Sequence, residues 1–169
     1  DLLHWADLTF PKVRLTAARL NHLIRAEAER DKNVAAKVAE GIGFHFITNR
    51  ANVPAMAAQL KRGLEEAARW ARYDFLSQAA ESWKADFILT AHKDDDQAET
   101  ILMRLTKGGG AGGLAGIHAR RPLSRKSRRP EMLRPLCPFS SERQEIWLKA
   151  QERTWVAVAS NRAGTYTRN

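Results

Sequence analysis

The stretch LTAHKDDDQAET, residues 89–100, carries the clearest structural signal in the chain. Its first four residues, LTAH, continue the preceding DFI, and the resulting run of residues 86–92 is mainly apolar and typical of a buried strand. An amphipathic helix pattern begins near Asp95 and continues to Leu105. A strand that passes directly into a helix is the repeating unit of parallel sheets. This stretch therefore predicts an α/β fold.

The rest of the chain alternates in the same way. Further strands are predicted at 13–20, 44–48, 132–137 and 154–159. Further helices are predicted at 2–8, at 27–41, from residue 64 and from residue 141, where Ser141 to Gln144 resembles a capping box. The alternation predicts a single three-layer α/β domain over residues 1–169, with a parallel sheet covered by helices on both faces.

Acidic side chains cluster where the predicted strand 86–92 ends. His92 closes the strand, and Asp94, Asp95, Asp96 and Glu99 follow it. Carboxylates spaced three and four residues apart on a helix can converge, and such oxygen clusters suit Mg²⁺ or a cationic amine. The alternative is a helix start, because Asp96 to Glu99 is itself a capping box and acids favour helix amino ends. Ligands bind at the carboxyl ends of parallel strands, which favours the functional interpretation.

The net charge is strongly positive and unevenly distributed. The 169 residues contain 28 Lys+Arg and 19 Asp+Glu, a formal charge of +9, which suggests a polyanionic partner. The stretch 118–134 contains seven of these basic residues and one acid, a net charge of +6. Its prolines and serines predict an exposed loop, which would either contact phosphates or serve as a solvated linker.

Several protein classes are excluded by composition. One cysteine can form neither an internal disulfide nor a cysteine-based metal site, which favours a reducing cytoplasm. The apolar runs are too short to span a bilayer, and the acidic amino terminus is unlike a signal peptide, so no membrane partner is predicted. Cys137 and the five tryptophans are interpreted as packing residues, not as a nucleophile or a base-stacking platform.

Three separated stretches together resemble the catalytic domain of the tRNA(Ile)-lysidine synthetase family, which belongs to the N-type ATP pyrophosphatases. They are residues 89–117 with an A-H-x-x-D-D-Q-A-E-T pattern, residues 63–76 with A-R-x-x-R-Y, and residues 160–169 with S-N-x-x-x-x-Y-T-R-N. A weaker match is NHLIR, 21–25, in which Leu23 stands at a usual glycine. The resemblance implies a Rossmann-like, adenine nucleotide alpha hydrolase-like fold.

The resemblance also implies a reaction. ATP would transfer AMP to the C2 oxygen of the wobble cytidine, position 34, of tRNA(Ile) with a CAU anticodon, with release of pyrophosphate. Free lysine would then displace AMP to form lysidine, which changes decoding from Met to Ile. ATP and Mg²⁺ are the implied cofactors. Two alternatives stay open: another adenylating enzyme of the same fold, and a non-catalytic RNA-binding module.

Site residues follow from the matched motifs. The implied catalytic residues are His92, Asp96, Glu99 and Arg72. Lysine and Mg²⁺ would be bound by Asp95, Asp96 and Glu99. ATP would be bound by His22, Arg25 and His92. The tRNA would be contacted by Lys107, Arg120, Arg121, Tyr166 and Arg168. For Arg72, a solvated or ion-paired position on a helix is an equally valid interpretation.

The ends of the chain depart from the family pattern. The family's S-G-G-x-D-S loop is expected just before Asp1, so the catalytic domain is predicted to be incomplete at its amino terminus. Whether carboxyl-terminal tRNA-binding domains follow Asn169 is left open. The oligomeric state is left open, with a dimer as one alternative.

Overall fold

The structure is a computed structural model that describes residues 2–24, 28–106, 108, 115–124 and 129–152. Within these ranges the elements, in chain order, are α1 (Leu2–Thr9), β1 (Thr16–Asn21), α2 (Ala28–Gly41), β2 (His45–Arg50), α3 (Val53–Leu60), α4 (Leu64–Trp83), β3 (Phe87–Leu89), α5 (Asp94–Thr106), β4 (Arg120–Pro122), β5 (Glu131–Leu133) and α6 (Ser141–Ala150). This mixture of helices and strands confirms the predicted α/β class. None of the described helices is long and apolar enough to cross a membrane.

The described residues form two compact units. The N-terminal unit contains 3–24, 28–88, 123–124 and 129–130, and the C-terminal unit contains residue 2, 89–106, 108, 115–122 and 131–152. Each unit is described separately below.

The N-terminal unit is built on a parallel pair of strands. β1 and β2 pair in parallel from Thr16 opposite His45 to Asn21 opposite Arg50. The connection between them is α2, which packs against both strands, as a parallel crossover requires. The predicted parallel pairing is therefore confirmed for these two strands.

The core of this unit lies between α3 and α4. Val53, Ala67 and Ala71 are buried there, and Leu20 and Met56 pack against them. The sequence analysis did not predict α3, which has only eight residues. Its start is nevertheless encoded locally, because the Asn52 side chain accepts a hydrogen bond from the Ala55 N–H at 3.1 Å and a proline occupies the first turn.

The three-stranded sheet has the order β3-β5-β4, and its strands β4 and β5 belong to the C-terminal unit. β4 and β5 are antiparallel, with Arg120 opposite Leu133 and Pro122 opposite Glu131. The prediction of an exposed loop over 118–134 is therefore wrong for residues 120–122, which form β4, whereas the strand predicted at 132–137 is confirmed in part, because β5 spans Glu131–Leu133. Residues 125–128 of that stretch lie outside the described residues.

Several predicted boundaries shift. β3 spans Phe87–Leu89 instead of 86–92, and Phe87 is exposed, so this strand is less buried than its apolar sequence suggests. The cap of α6 is Ser140, whose hydroxyl accepts from the Arg143 N–H at 3.2 Å, so the predicted capping box is one residue too late. The predicted strand 154–159 lies outside the described residues.

Candidate functional site

The turn between β3 and α5 is held by backbone hydrogen bonds from elsewhere in the C-terminal unit. The Thr90 N–H donates to the Leu133 carbonyl of β5 at 3.0 Å, and the Asp94 N–H donates to the Phe139 carbonyl at 3.3 Å. The acidic residues that follow are therefore presented from a turn fixed at both ends. This is the position at which α/β sheets place their ligand-binding side chains.

His92 lies in this turn and is half-buried. Its Nδ1 is 2.9 Å from the Thr90 hydroxyl oxygen, a contact in which either group can donate, depending on the imidazole tautomer. The bond orients the ring against the end of β3. His92 therefore lies in the turn, three residues after the end of β3, and not at the end of the strand as predicted. Thr90 is the orienting residue that the sequence analysis did not identify.

Asp96 stabilises the start of α5. Its Oδ2 accepts a hydrogen bond from the Lys93 backbone N–H at 3.1 Å, and Lys93 directly precedes the helix. This is the acidic half of a capping box. The helix-start role that the sequence analysis gave as the alternative for these acids is therefore present. The predicted box from Asp96 to Glu99 begins three residues too late, because Asp96 is the third residue of the helix and not its cap.

Asp95 forms a cluster with Lys93 and Ser141, the first residue of α6. Asp95 Oδ2 accepts from the Ser141 hydroxyl at 2.6 Å and lies 3.1 Å from the Lys93 ammonium. Lys93 also donates to Ser141 Oγ. The hydroxyl hydrogen bond is the largest influence that lowers the pKa of Asp95, followed by Lys93. Asp95 is therefore ionised at neutral pH, and the amino ends of α5 and α6 are joined through it.

Replacing Ser141 with alanine is expected to raise the pKa of Asp95 towards its usual value, because the hydroxyl donor favours the charged carboxylate. In the native chain the lowered pKa contributes stability that is present above the unfolded-state pKa of about 3.9 and is lost as the pH falls through the folded value. The Ser141→Ala variant should therefore lose less stability on acidification. Carboxyl NMR titration checks the pKa, with Ser77→Ala, on the exposed side of α4, as the control. An unshifted Asp95 titration would contradict the assignment.

Glu99 lies one turn after Asp95 on the exposed part of α5. The sequence analysis expected Asp95, Asp96 and Glu99 to converge as a Mg²⁺ site. Among the residues that the structure describes, no three His, Cys, Asp or Glu side chains are grouped closely enough to hold a metal ion. Asp95 and Asp96 are turned instead towards Ser141 and the Lys93 N–H. The expected three-carboxylate metal site is not formed.

A second group of predicted residues lies in the N-terminal unit, at the carboxyl end of β1. Burial of His22 is the main cause of its lowered pKa, and the nearby charges of Arg72 on α4 and Arg19 on β1 lower it further. His22 is therefore neutral at pH 7. The structure thus brings together the motifs NHLIR and A-R-x-x-R-Y, which are about fifty residues apart. Arg25 lies outside the described residues.

Leu23 has a left-handed backbone with a φ of 52°, which explains why the motif it belongs to usually has glycine there.

Leu23→Gly should stabilise the chain by up to about 1 kcal/mol, because a side chain in this conformation costs roughly that much. The exposed leucine loses little burial, and its N–H still donates to Asn21 Oδ1 at 2.9 Å. Urea unfolding checks the change against Leu23→Ala, which keeps the strain. Equal stability of the two variants would contradict the explanation.

Basic residues that the structure describes around the hairpin of β4 and β5 contact protein partners. Arg120 pairs with Glu131, Arg129 pairs with Asp86, and the buried Arg134 donates to the His118 carbonyl. Arg121 is half-buried. Phosphate contacts at Arg120 and Arg129 would therefore compete with these ion pairs, and Arg125, Lys126 and Arg128 lie outside the described residues. Of the other predicted tRNA contacts, Lys107, Tyr166 and Arg168 lie outside the described residues.

Two side chains of α5 that the sequence analysis did not single out bind the backbone at Gly116 and Ile117, which follow the glycine-rich residues 108–113. Gln97 Oε1 accepts from the Ile117 N–H, and Arg104 donates to the Gly116 carbonyl at 2.8 Å. Gln97 belongs to the D-Q-A-E-T pattern, which was the available signal. Ser141 gave no such signal, because it lies 46 residues from the aspartate that it contacts.

Cys137 is partly buried, and burial is the main cause of its raised pKa. The thiol is therefore protonated at neutral pH, which agrees with its interpretation as a packing residue.

The sequence model of the PP-loop domain matches residues 2–169. The chain is 37% identical over 172 residues to the tRNA(Ile)-lysidine synthase of Ralstonia nicotianae, covering 99% of the chain and 36% of that protein. It is 34% identical over 170 residues to the bifunctional protein TilS/HprT of Listeria monocytogenes serotype 4b (strain F2365), covering 99% of the chain and 26% of that protein. The chain thus spans about a quarter to a third of the length of these relatives.

The fold resembles that of the U34-tRNA thiolase NcsA from Methanococcus maripaludis, solved with its [4Fe-4S] cluster. The TM-score is 0.72 at 16% identity, covering 92% of this chain and 54% of that one. The expected Rossmann-like, adenine nucleotide alpha hydrolase-like fold is thereby confirmed. Because the family model extends over residues 2–169, the chain belongs to the PP-loop domain family.

Proposed function

We propose that residues 1–169 are the catalytic domain of a cytoplasmic tRNA(Ile)-lysidine synthase, a ligase that forms a C–N bond. It would attach lysine to C2 of cytidine 34 in tRNA(Ile) with a CAU anticodon, through an adenylated tRNA, and convert ATP to AMP and pyrophosphate. The observation that carries the proposal is the identity shared along 99% of the chain with a protein of that name. The acidic turn after β3 supports it, because it offers carboxylates for a cationic substrate.

In the first step the C2 oxygen of the cytidine attacks the α-phosphorus of ATP, and pyrophosphate leaves. We assign His22, Arg72 and His92 to ATP, together with Arg25. Arg72 remains charged at all working pH values and can offset phosphate charge, whereas the neutral His22 can offer only a hydrogen bond. His92, fixed by Thr90, would orient the nucleotide or accept a proton.

In the second step the lysine ε-amine attacks C2, the bond from C2 to the activated oxygen breaks, and AMP leaves with that oxygen. Carboxylates attract the incoming ammonium and hold it in place, but they also favour its charged form. A base must therefore remove a proton before attack, and we assign this role to the His92 imidazole, which lies in the same turn and is oriented by Thr90. We assign lysine binding to Asp95, Asp96 and Glu99, the carboxylates that follow this turn on α5.

Mg²⁺ is proposed only as the ion that accompanies ATP. The described carboxylates do not form a protein cage for it. Magnesium in nucleotide-using enzymes commonly takes one or two carboxylates together with substrate phosphates, so no step above depends on a closed metal site.

For the tRNA, we propose contacts from Arg120 and Arg121 of β4 and from Lys107, Tyr166 and Arg168. Arg120 pairs with Glu131 but is itself exposed, so a phosphate can compete for it. A cluster-dependent thiolation reaction, by contrast, is not supported within these residues, because one cysteine cannot supply the thiolate ligands of an iron–sulfur cluster.

The test is incorporation of labelled lysine into a tRNA(Ile) transcript by the full-length protein. Incorporation should require ATP, should release AMP, and should disappear when cytidine 34 is replaced by uridine. AMP release without lysine incorporation would indicate another adenylating enzyme. Binding of tRNA without any AMP release would indicate an RNA-binding module.

A further inference from the structure

A cavity of about 220 Å³ lies in the N-terminal unit, and its lining includes none of the residues assigned above. It is bordered by the last residues of β1 and β2 and by the middle of α4. Leu20, Met56 and Phe75 form its apolar lining. Pockets for drug-sized ligands begin at about 300 Å³, so this cavity suits one small ring system instead of a whole nucleotide.

Polar side chains also line this cavity. Asn49 and Arg50 come from β2, and Asp74 and Gln78 come from α4. Gln78 donates to Asp74 Oδ2 at 2.7 Å, and Asn49 Oδ1 accepts from the Arg50 N–H at 2.8 Å, so both walls are oriented by hydrogen bonds. Amides and a carboxylate are the groups that pair with the hydrogen-bonding edge of a nucleobase.

Trp70 lines the cavity from α4, and 52% of its surface is exposed. The other described tryptophans are half-buried, so the interpretation of all five as packing residues is wrong for Trp70. A single exposed apolar residue needs no explanation, but an indole bordering a polar-edged cavity provides a stacking surface.

A second cavity of about 280 Å³ continues along β2 and shares Asn49, Phe75 and Gln78 with the first. It adds the hydroxyl groups of Thr48 and Ser82. A ring bound at Trp70 would therefore have space beside it for the sugar and phosphate to which it is attached, with Arg50 able to contact the phosphate.

We propose that this cavity binds one unpaired nucleobase, stacked on Trp70 and hydrogen-bonded by Asn49, Asp74 and Gln78. Its sources are a nucleotide of the tRNA or the adenine of ATP. The choice of these two sources rests on the proposed function, whereas the base chemistry rests on the cavity itself.

The experiment measures the affinity of the full-length protein for a labelled tRNA(Ile) transcript and, separately, for ATP. Trp70→Ala should weaken binding of the true source roughly 5- to 100-fold, the range that loss of one stacked base produces. Trp70→Phe keeps an aromatic face and should stay within about threefold of wild type. The matched control is Leu60→Ala, which removes another exposed apolar side chain of this unit outside the cavity. Gln78→Ala tests the polar wall independently and should also weaken binding.

Weaker tRNA binding alone would identify the tRNA as the source, and weaker ATP binding alone would identify adenine. Unchanged affinity of both Trp70→Ala and Gln78→Ala for both ligands would overturn the proposal, as would a wild-type protein that binds neither. Lysine incorporation is measured on the same wild-type preparation. Its absence would count against the proposed function and leave the binding comparison intact.

Discussion

Glu99→Gln is expected to slow lysine incorporation by at least about 100-fold, because removal of one preorganised charged or hydrogen-bonding group from a reaction site commonly costs that much. The substitution keeps the shape of the side chain on α5 and removes only its charge. Adenylation should change little if Glu99 binds lysine, so pyrophosphate release without lysine should stay within about threefold of wild type. Lysine incorporation and pyrophosphate release are measured in parallel on the full-length protein.

Asp96→Asn serves as the companion variant, since an asparagine oxygen can still accept the Lys93 N–H and preserve the start of α5. Glu145→Gln, on the exposed side of α6, is the control for a lost surface charge. A parallel loss of both half-reactions in Glu99→Gln would instead assign the carboxylate to the ATP step. Unchanged lysine incorporation in both variants would remove Asp96 and Glu99 from the proposed site.

Gly116→Ala is expected to destabilise the chain by about 2–3 kcal/mol, from left-handed strain and the loss of one hydrogen bond. The residue has a φ of 59°, and an added Cβ would lie 2.5 Å from Gln97 Nε2. The carboxamide of Gln97 cannot move aside freely, because its oxygen accepts the Ile117 N–H. Urea unfolding measures the change.

Gly43→Ala is the matched control, because that glycine has a φ of 76° but open space around it, so only the backbone strain remains. Gly116→Ala should therefore cost more than Gly43→Ala. The double variant Gly116→Ala with Gln97→Ala should recover the part of the cost that comes from the clash, in a double-mutant cycle. Equal costs at Gly116 and Gly43 would show that Gln97 accommodates the methyl group.

The apolar and helical periodicities of the sequence were sufficient to predict most of the larger elements. α2 begins and ends close to its predicted positions and α4 begins where it was predicted, because their amphipathic patterns are long. The short helix α3 was missed, because eight residues contain too few turns for a periodic signal. The strand β4 was missed because its three residues, two arginines and a proline, look like part of a loop until the partner strand is known, whereas a strand overlapping β5 was predicted at 132–137.

The candidate site was predicted in position but not in its connections. The strand-to-helix junction located His92, Asp95, Asp96 and Glu99, since this edge is where parallel sheets bind ligands. Their expected convergence did not follow, because capping of α5 and the bond to Ser141 each orient a carboxylate differently. Trp70 was misassigned for a related reason, since nothing in its local sequence distinguishes a packed indole from one that borders a cavity.

Residue patterns and composition were enough to predict the α/β class, the acidic turn at 92–99 and the excess of positive charge, because none of these depends on contacts between distant residues. Which of the charges are paired became visible only in the folded chain. It pairs Arg120 with Glu131 and Arg129 with Asp86, and it places Arg72 beside His22. Ion pairs and pKa shifts depend on distances of a few ångströms between residues far apart in the chain, and no local pattern specifies those distances.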